Sequence, residues 1–351
     1  QFCTNKVIEL DSFKKTKINK DFSVAIVPQI ISNSSDLPDN INYDLDTSII
    51  IQSNKDKTIF FNNVDTPMNL NVLKKIKKFI TSNFKRNVDV FCYALGAASE
   101  FPQCFMNVNR GKEQKRIINE SLEEIYSYIK FLKPKVFFPA GGTYAIYGKF
   151  YKLNKFIAQP TSQQIQKKLS KLNTKVYDLI GGGSILLNKD NFYLSKKPKI
   201  ITSVFHKKFL NQIKKLKYYY EINEKKVDLP MLDRTFYNAK QNYFKIFGKK
   251  NKINTKWNIN FKIYKNYKIN EKYLIDKKKS KFLKTYNLKN YTNSSPNIYK
   301  LECHLEYELF KSLLNKKFPW NTSLSGSTIM YRRNPNKFNV DMLFSLNFLR
   351  V

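Results

Sequence analysis

The chain has 351 residues, of which 42% are hydrophobic and 15% aromatic, and this composition excludes a globally disordered protein. Its formal net charge is +36, but only seven of its 63 basic residues are arginine. Arginine makes most bidentate contacts to bases and phosphates, so this charge indicates a solvated lysine surface rather than specific nucleic-acid recognition. Nonspecific binding of nucleic acid or another polyanion through lysine clusters, such as residues 277–279, stays open as an alternative.

The sequence also bears on where the protein is located. No apolar run approaches the roughly 18 residues of a membrane span, so no span is predicted. The four cysteines are too scattered for a disulfide framework, which indicates a reduced, cytoplasmic setting. The sequence gives no indication of the oligomeric state.

The first half of the chain alternates predicted strands and helices. β-Branched, apolar stretches predict strands, and apolar residues at helical spacing predict helices. The predicted strands are residues 6–10, 22–28, 48–52, 58–61, 88–93, 135–139, 176–179 and 184–187, and the predicted helices are residues 69–82, 111–131 and 163–172. This order predicts an α/β fold with a layered sheet.

Three polar or glycine-rich loops follow predicted strands of this sheet. They cover residues 61–67, 96–99 and 140–142. Because ligands bind at the carboxyl ends of strands in such sheets, we expect the loops to converge on one rim and to offer backbone N–H groups there. The candidate substrate contacts from the second and third loops are Gly96, Ala97, Ala98, Ser99, Gly141 and Gly142.

The composition changes near residue 190, beyond which lysine, tyrosine and asparagine dominate. We therefore predict two domains, with residues 1–190 forming the α/β domain and residues 191–351 forming an accessory region that ends in a small α+β module. The predicted helices of the second region are residues 205–217, 232–247 and 299–314, and its predicted strands are residues 327–332 and 340–349. The stretch 249–295 shows few clear periodicities.

Histidine-based catalysis has little support in this chain. The two histidines, His206 and His304, lack a His or Cys partner at a metal-binding spacing, and each is interpreted as a structural or surface residue on a helix. No Gly-x-Ser-x-Gly elbow is present for a serine nucleophile. The residues by themselves therefore do not predict a conventional histidine-based active site.

Three short segments nevertheless resemble a known family. They are Asn62-Asn63-Val64-Asp65, the stretch Tyr93 to Pro102 (YALGAASEFP) and the stretch Phe138 to Tyr144 (FPAGGTY). In order, spacing and placement after strands they are similar to metallo-β-lactamase-fold proteins of the group that includes CMP-N-acetylneuraminate hydroxylase and lactonase-like hydrolases. The segment from Trp320 to Pro335 resembles the small carboxyl-terminal module of the same proteins.

The resemblance implies an αβ/βα sandwich with a metal site at the rim. It implies that Asp65 is a metal ligand, that Asn63 is its loop partner and a substrate contact, and that the turn before Ser99 holds an anionic substrate. In the complete protein the metal would be zinc, iron or manganese, and it would activate a water molecule for hydrolysis. The substrate would be a small anion, such as a sugar or nucleotide-sugar.

The chain departs from this family at its most characteristic motif, because His-x-His-x-Asp-His and the Rieske Cys-His pairs are absent. We therefore expect the chain to be the carboxyl-terminal part of a longer metal-dependent hydrolase, with a fold incomplete at its amino terminus. On this hypothesis the isolated chain binds no metal tightly and is inactive. The alternative is a non-catalytic binding protein whose metal site has decayed.

Overall fold

The computed structural model describes residues 8–28, 47–64, 66, 68–94, 99–140, 144–179, 182–188, 191–196, 203–222, 226–250, 256–289 and 298–351. Within these ranges the chain is a mixed α/β protein with one large mixed sheet, a second smaller sheet and several helices. The strands are β1 (Thr16–Lys17), β2 (Phe22–Pro28), β3 (Thr47–Ser53), β4 (Ile59–Asn63), β5 (Val90–Ala94), β6 (Val136–Ala140), β7 (Lys175–Val176), β8 (Ser184–Asn188), β9 (Asn191–Lys196), β10 (Trp257–Lys265), β11 (Lys281–Lys289), β12 (Tyr299–Glu306) and β13 (Met330–Asn334).

The helices connect these strands or pack on them. The α-helices are α1 (Leu70–Phe84), α2 (Arg110–Leu132), α3 (Ser162–Leu169), α4 (Ser203–Ile213), α5 (Tyr219–Ile222), α6 (Leu229–Lys250), α7 (Tyr307–Leu314), α8 (Trp320–Ser325) and α9 (Val340–Ser345), and the 3₁₀ helices are η1 (Gly148–Phe156) and η2 (Leu346–Phe348). None of the helices in the described ranges is both long enough and apolar enough to cross a membrane.

The large sheet has its strands in sequence order from β1 to β7. Strands β1 to β4 are antiparallel to their neighbours, whereas β4 to β7 are parallel. The parallel strands are joined by α1, α2 and α3, and right-handed crossovers that all step in one direction place their helices on one face. That face is closed by buried side chains of the strands and helices, such as Phe61, Phe91, Ile76 and Ile129.

The opposite face of the large sheet is apolar and only partly buried in the described part of the chain. Strand register places Ile26, Ile49, Ile51 and Phe60 on this face, and each of them is half-buried. The hairpin of β8 and β9 packs against part of it, where Phe192 joins a small cluster with the strand residues. Among the described residues, only this hairpin is seen to cover part of the face.

The second sheet has the strand order β11-β10-β12-β13. Alternate residues of β10 are buried against α6, α7 and α8, and the Phe261 ring lies 5.2 Å from that of Phe310 and 5.7 Å from that of Trp320, between ring centroids. Residues from the first half of the chain, including Phe105 and Phe150, belong to the same buried cluster. The hydrophobic core of the second sheet therefore extends across the predicted boundary at residue 190.

Several predicted elements of the first half are confirmed. The strand predicted at residues 22–28 is β2 itself, and the helices predicted at 69–82 and 111–131 match α1 and α2 within two residues at each end. In α1 the side chain of Asn69 caps the helix by accepting a hydrogen bond from the backbone N–H of Val72. Residues 8–10, predicted as part of a strand, are not in one.

The main errors of the secondary-structure prediction fall in the second half of the chain. The helix predicted at residues 299–314 is wrong in its first part, because β12 occupies residues 299–306 and the helix α7 begins only at Tyr307. His304 consequently lies on a strand and not on a helix. The strand predicted at residues 340–349 is also wrong, because Asn339 caps α9 by accepting a hydrogen bond from the N–H of Met342.

A mostly buried ion cluster connects the two halves of the chain. Lys149 of η1 forms ion pairs with Glu221 of α5 and with Glu306 at the end of β12. The distance from Lys149 Nζ to Glu221 Oε1 is 2.7 Å. The Lys149 side chain is only 16% exposed, so the cation and its two carboxylate partners are shielded from water. Removing the shared cation would leave two carboxylates unpaired in this environment.

We expect Lys149→Met to lower the free energy of unfolding by about 3–5 kcal/mol at pH 7, because breaking a buried ion pair leaves uncompensated charge. The loss should shrink as the pH falls, since burial raises the pKa of Glu306 and protonation removes one of the unpaired charges. Denaturant unfolding at several pH values measures both effects.

The matched control is Lys152→Met on the same 3₁₀ helix. Lys152 pairs with Glu271, which is 86% exposed, and such surface pairs contribute about 0–1 kcal/mol. Equal losses for the two variants would show that the cluster around Lys149 has no special role in joining the halves.

Candidate binding cleft

A cleft of about 510 Å³ lies where the loops after β5 and β6 meet the segment that follows β13. Its walls include Ser99, Glu100 and Phe101 from the first loop and Tyr144 from the second. The beginning of α2 and the segment after β13 complete the walls. The volume is within the range of small-molecule binding sites, which is about 300–1,000 Å³.

The two rim loops are in direct contact, as their positions after neighbouring parallel strands predict. The hydroxyl of Tyr144 donates a hydrogen bond to the backbone carbonyl of Ser99 over 2.9 Å. The buried side-chain amide of Gln103 lies within 2.9 Å of the Tyr144 hydroxyl oxygen and 3.1 Å of Ser327 Oγ, measured from Nε2. Since Ser327 lies just before Thr328, Ile329 and the start of β13 at Met330, this network connects both loops to the second sheet.

The chain that follows the first loop forms one isolated parallel bridge with β13, between Phe105 and Tyr331. The backbone N–H of Tyr331 donates to the carbonyl of Cys104 over 2.9 Å, and the N–H of Met106 donates to the carbonyl of Tyr331 over 2.8 Å. The rings of Phe105 and Tyr331 stack with 5.1 Å between their centroids. This pairing places Arg333, two residues further along β13, at the wall of the cleft.

Arg333 is held in place by two neighbouring aromatic rings that lie to the same side of its guanidinium group. The Cζ atom lies 4.6 Å from the ring centroid of Phe101 and 4.5 Å from that of Phe105, which are cation–π distances. Its Nε donates to Oδ1 of Asn336 over 2.9 Å, and Asn107 holds the backbone by donating to the Arg333 carbonyl. The guanidinium plane is therefore fixed with respect to the cleft.

The charge of Arg333 has no ion-pair partner in the described part of the chain. The residue is only 8% exposed, and burial lowers the pKa of its guanidinium, an effect that the nearby carboxylate of Glu100 opposes. Arginine nevertheless remains protonated at physiological pH. A buried, uncompensated cation in a cleft wall is a site for an anion.

Glu100 is a second uncompensated charge in the same wall. It is also 8% exposed, and burial raises the pKa of its carboxyl above the ordinary value of 4.5, against the opposing effects of its own backbone N–H and of Arg333. No side chain among the described residues donates a hydrogen bond to this carboxylate. Strongly perturbed acids in clefts are concentrated at functional sites.

The predicted substrate contacts are only partly within the described residues. Ser99 lines the cleft, and its hydroxyl accepts a hydrogen bond from the N–H of Phe101. Asp65, Gly96, Ala97, Ala98, Gly141 and Gly142 lie outside the described residues. Their predicted roles in binding metal or substrate stay predictions.

Asn63 is completely buried at the end of β4. Its Oδ1 accepts a hydrogen bond from the hydroxyl of Ser48, and its Nδ2 donates to the carbonyl of Thr66 over 2.9 Å. The side chain therefore joins the end of β4 to Ser48 and to Thr66. Contact with substrate stays a prediction for Asn63.

Glu100, Tyr144 and Arg333 were not predicted as site residues, although each lies in a segment that carries the family resemblance. The sequence carries a signal for two of these three residues. Glu100 directly follows the strand-end turn, and Arg333 is one of only seven arginines in a chain whose basic residues are mostly lysine. Neither signal reveals that the two residues share a cleft.

The described residues contain no group of three or more His, Cys, Asp or Glu side chains arranged to hold a metal ion. His304 instead joins a network on β12, where Nδ1 lies 3.1 Å from the Tyr264 hydroxyl and Nε2 lies 3.4 Å from Glu302. Burial lowers the pKa of His304 to about 4, so the ring is neutral near pH 7. The side chain of His206 lies outside the described residues.

We expect Glu100→Gln to stabilise the protein at neutral and alkaline pH. The native state holds the Glu100 proton more tightly than the unfolded state does, so this group stabilises the fold fully below about pH 4.5 and that stabilisation is lost as the pH rises through the raised pKa. The advantage of the variant should therefore grow with pH in this window, by up to about 1.4 kcal/mol per pH unit. Denaturant unfolding at a series of pH values tests this.

Glu113→Gln is the control in the same cleft wall. Glu113 is paired with Arg116, with 2.8 Å between Oε2 and Nη2, so its removal should give no gain and a loss of at most about 1 kcal/mol. A Glu100→Gln variant that is less stable than wild type at pH 8 would contradict the interpretation of Glu100 as an uncompensated charge.

No protein-family model matches the chain, and no curated protein has a significantly similar sequence. The resemblance to metallo-β-lactamase-fold proteins therefore depends on the short segments given above. The function of the cleft has to be inferred from the side chains that form it.

Proposed function

We propose that this protein binds a small anionic ligand in the cleft and that Arg333 is the residue that binds the anionic group. The observation that carries the proposal is the buried guanidinium of Arg333, which lines a cleft of about 510 Å³ without an ion-pair partner among the described residues. Burying an unpaired charge is costly, and a bound anion offsets that cost.

The geometry of Arg333 suits a carboxylate or phosphate group. Contacts with the rings of Phe101 and Phe105 hold the guanidinium group, and Asn336 accepts the hydrogen bond from Nε. No described residue accepts a hydrogen bond from the two terminal nitrogens. Two parallel N–H donors in a fixed plane match the two oxygens of a carboxylate or phosphate.

A catalytic role remains a hypothesis that the family resemblance supports. On that hypothesis the protein has the αβ/βα sandwich architecture, with domains at residues 1–190 and 191–351, and contributes the substrate-binding part of a metal-dependent hydrolase. Asp65 would be one ligand of a zinc, iron or manganese ion. Because the described residues supply no complete metal site, we assign to the cleft residues binding and orientation of the ligand and no step of a reaction.

The test is calorimetric titration with inorganic phosphate, acetate, short hydroxy acids and sugar phosphates at constant ionic strength. We expect at least one of them to bind saturably, and Arg333→Gln to weaken that binding by about tenfold or more, because hydrogen bonds to charged groups contribute about 1.5–3 kcal/mol. Arg333→Lys keeps the charge but loses the planar fork, so its affinity should be intermediate.

Arg332→Gln is the matched control, since Arg332 is exposed and its neighbour across the sheet is Glu302. It should leave the affinity unchanged. Thermal unfolding without ligand shows whether the Arg333 variants are also destabilised. An unchanged melting temperature means that the substitution affects binding and not the packing around Arg333. The proposal fails if no anion in the panel binds, or if the Arg332 and Arg333 variants weaken binding equally.

A further inference from the structure

We propose that the ligand of this cleft is a zwitterion of the amino-acid type, with a carboxylate bound by Arg333 and an ammonium group bound by Glu100. This inference rests on the proposed function, because it takes Arg333 to be the anion-binding residue. It adds a second requirement, namely a positively charged group on the ligand, which simple anions lack.

The first observation is that two opposite charges line the cleft without pairing with each other. Glu100 and Arg333 are each only 8% exposed, and each influences the other through space, yet they form no ion pair. Arg333 instead contacts the rings of Phe101 and Phe105 and donates its Nε–H to Asn336. Two buried charges that are held apart are both satisfied by one ligand that carries the complementary pair.

The second observation is that the other charges of the cleft wall are neutralised. Arg116 donates to Glu113 through Nη2 over 2.8 Å and to Glu120 through Nη1 over 2.7 Å. Glu113 and Arg116 are therefore already neutralised by ion pairs. Glu100 and Arg333 are the two charged groups of this wall that a ligand can complement. One has the charge to receive a carboxylate, and the other has the charge to receive an ammonium group.

The third observation concerns the rest of the wall, which is apolar. Phe101, Ile117, Ala158 and Phe338 line the same cleft. Small-molecule sites combine such apolar walls with a few polar groups that fix the orientation of the ligand. An amino acid with a hydrocarbon or aromatic side chain, or a molecule of similar build, presents both charged groups and an apolar body.

The experiment is calorimetric titration with two series of compounds. The first consists of α-amino acids with aliphatic and aromatic side chains, and the second of unbranched amino acids from glycine to 6-aminohexanoate, in which the distance between the two charges increases stepwise. Each is compared with its N-acetyl derivative and with the carboxylic acid that lacks the amino group. The second series measures the separation of the charges that the cleft accepts.

We expect the best zwitterion to bind at least about tenfold more tightly than its N-acetyl derivative. In Glu100→Gln this preference should disappear, while the N-acetyl derivative keeps its wild-type affinity. Arg333→Gln should weaken both compounds. The affinity lost on acetylation and the affinity lost in Glu100→Gln should therefore not add up. Such non-additivity identifies a direct interaction between the ammonium group of the ligand and the carboxylate of Glu100.

Glu120→Gln is the control, and it should keep the wild-type preference because Glu120 is paired with Arg116 and does not line the cleft. If simple carboxylates bind as tightly as the zwitterions, or if Glu100→Gln keeps the preference, the inference is overturned while the anion-binding function stands. If no compound of either series and no anion binds, both the inference and the proposed function are wrong.

Discussion

The arrangement of the cleft depends on one backbone pairing, in which residues 104–106 form an isolated parallel bridge with β13. Its two hydrogen bonds join the N–H of Tyr331 to Cys104 and the N–H of Met106 to Tyr331. Together with the bonds from Gln103 to Ser327 and from Asn107 to Arg333, they fix the loop after β5 against the carboxyl-terminal sheet, where Arg333 meets the rings of Phe101 and Phe105. The buried cluster that contains Phe105 and Tyr331 stabilises the pairing from within.

The two uncompensated charges are placed on parts of the fold that are well supported. Arg333 belongs to a strand, and its side chain is fixed by two rings and one amide. Glu100 lies in a loop that is anchored by the Tyr144 hydroxyl and the Gln103 amide. Such anchoring is what allows a protein to keep charges that are unfavourable for stability, because binding geometry is maintained by the surrounding shell of contacts.

Local patterns in the sequence were sufficient for much of the first half. The β-branched alternation of residues 22–28 and the capped amphipathic helix α1 are encoded by neighbours in the chain, and both were predicted. The failure at β12 has the opposite cause. Its run of side chains from Leu301 to Glu306 is compatible with a helix, and only pairing with β10 on one side and β13 on the other makes it a strand. The cleft was missed for the same reason, since Glu100 and Arg333 are brought together by tertiary contacts alone.

The hydrogen bond between Gln103 and Ser327 joins residues that are 224 positions apart in the chain. Contacts of this sequence separation form only after a large loss of chain entropy, so they arise late in folding. A folding intermediate that has assembled only the large sheet contains Glu100 but no cleft. A molecule bound in the cleft therefore interacts with the completed fold and not with its precursors, and it will act on the lifetime of the native state rather than on the rate at which that state is reached.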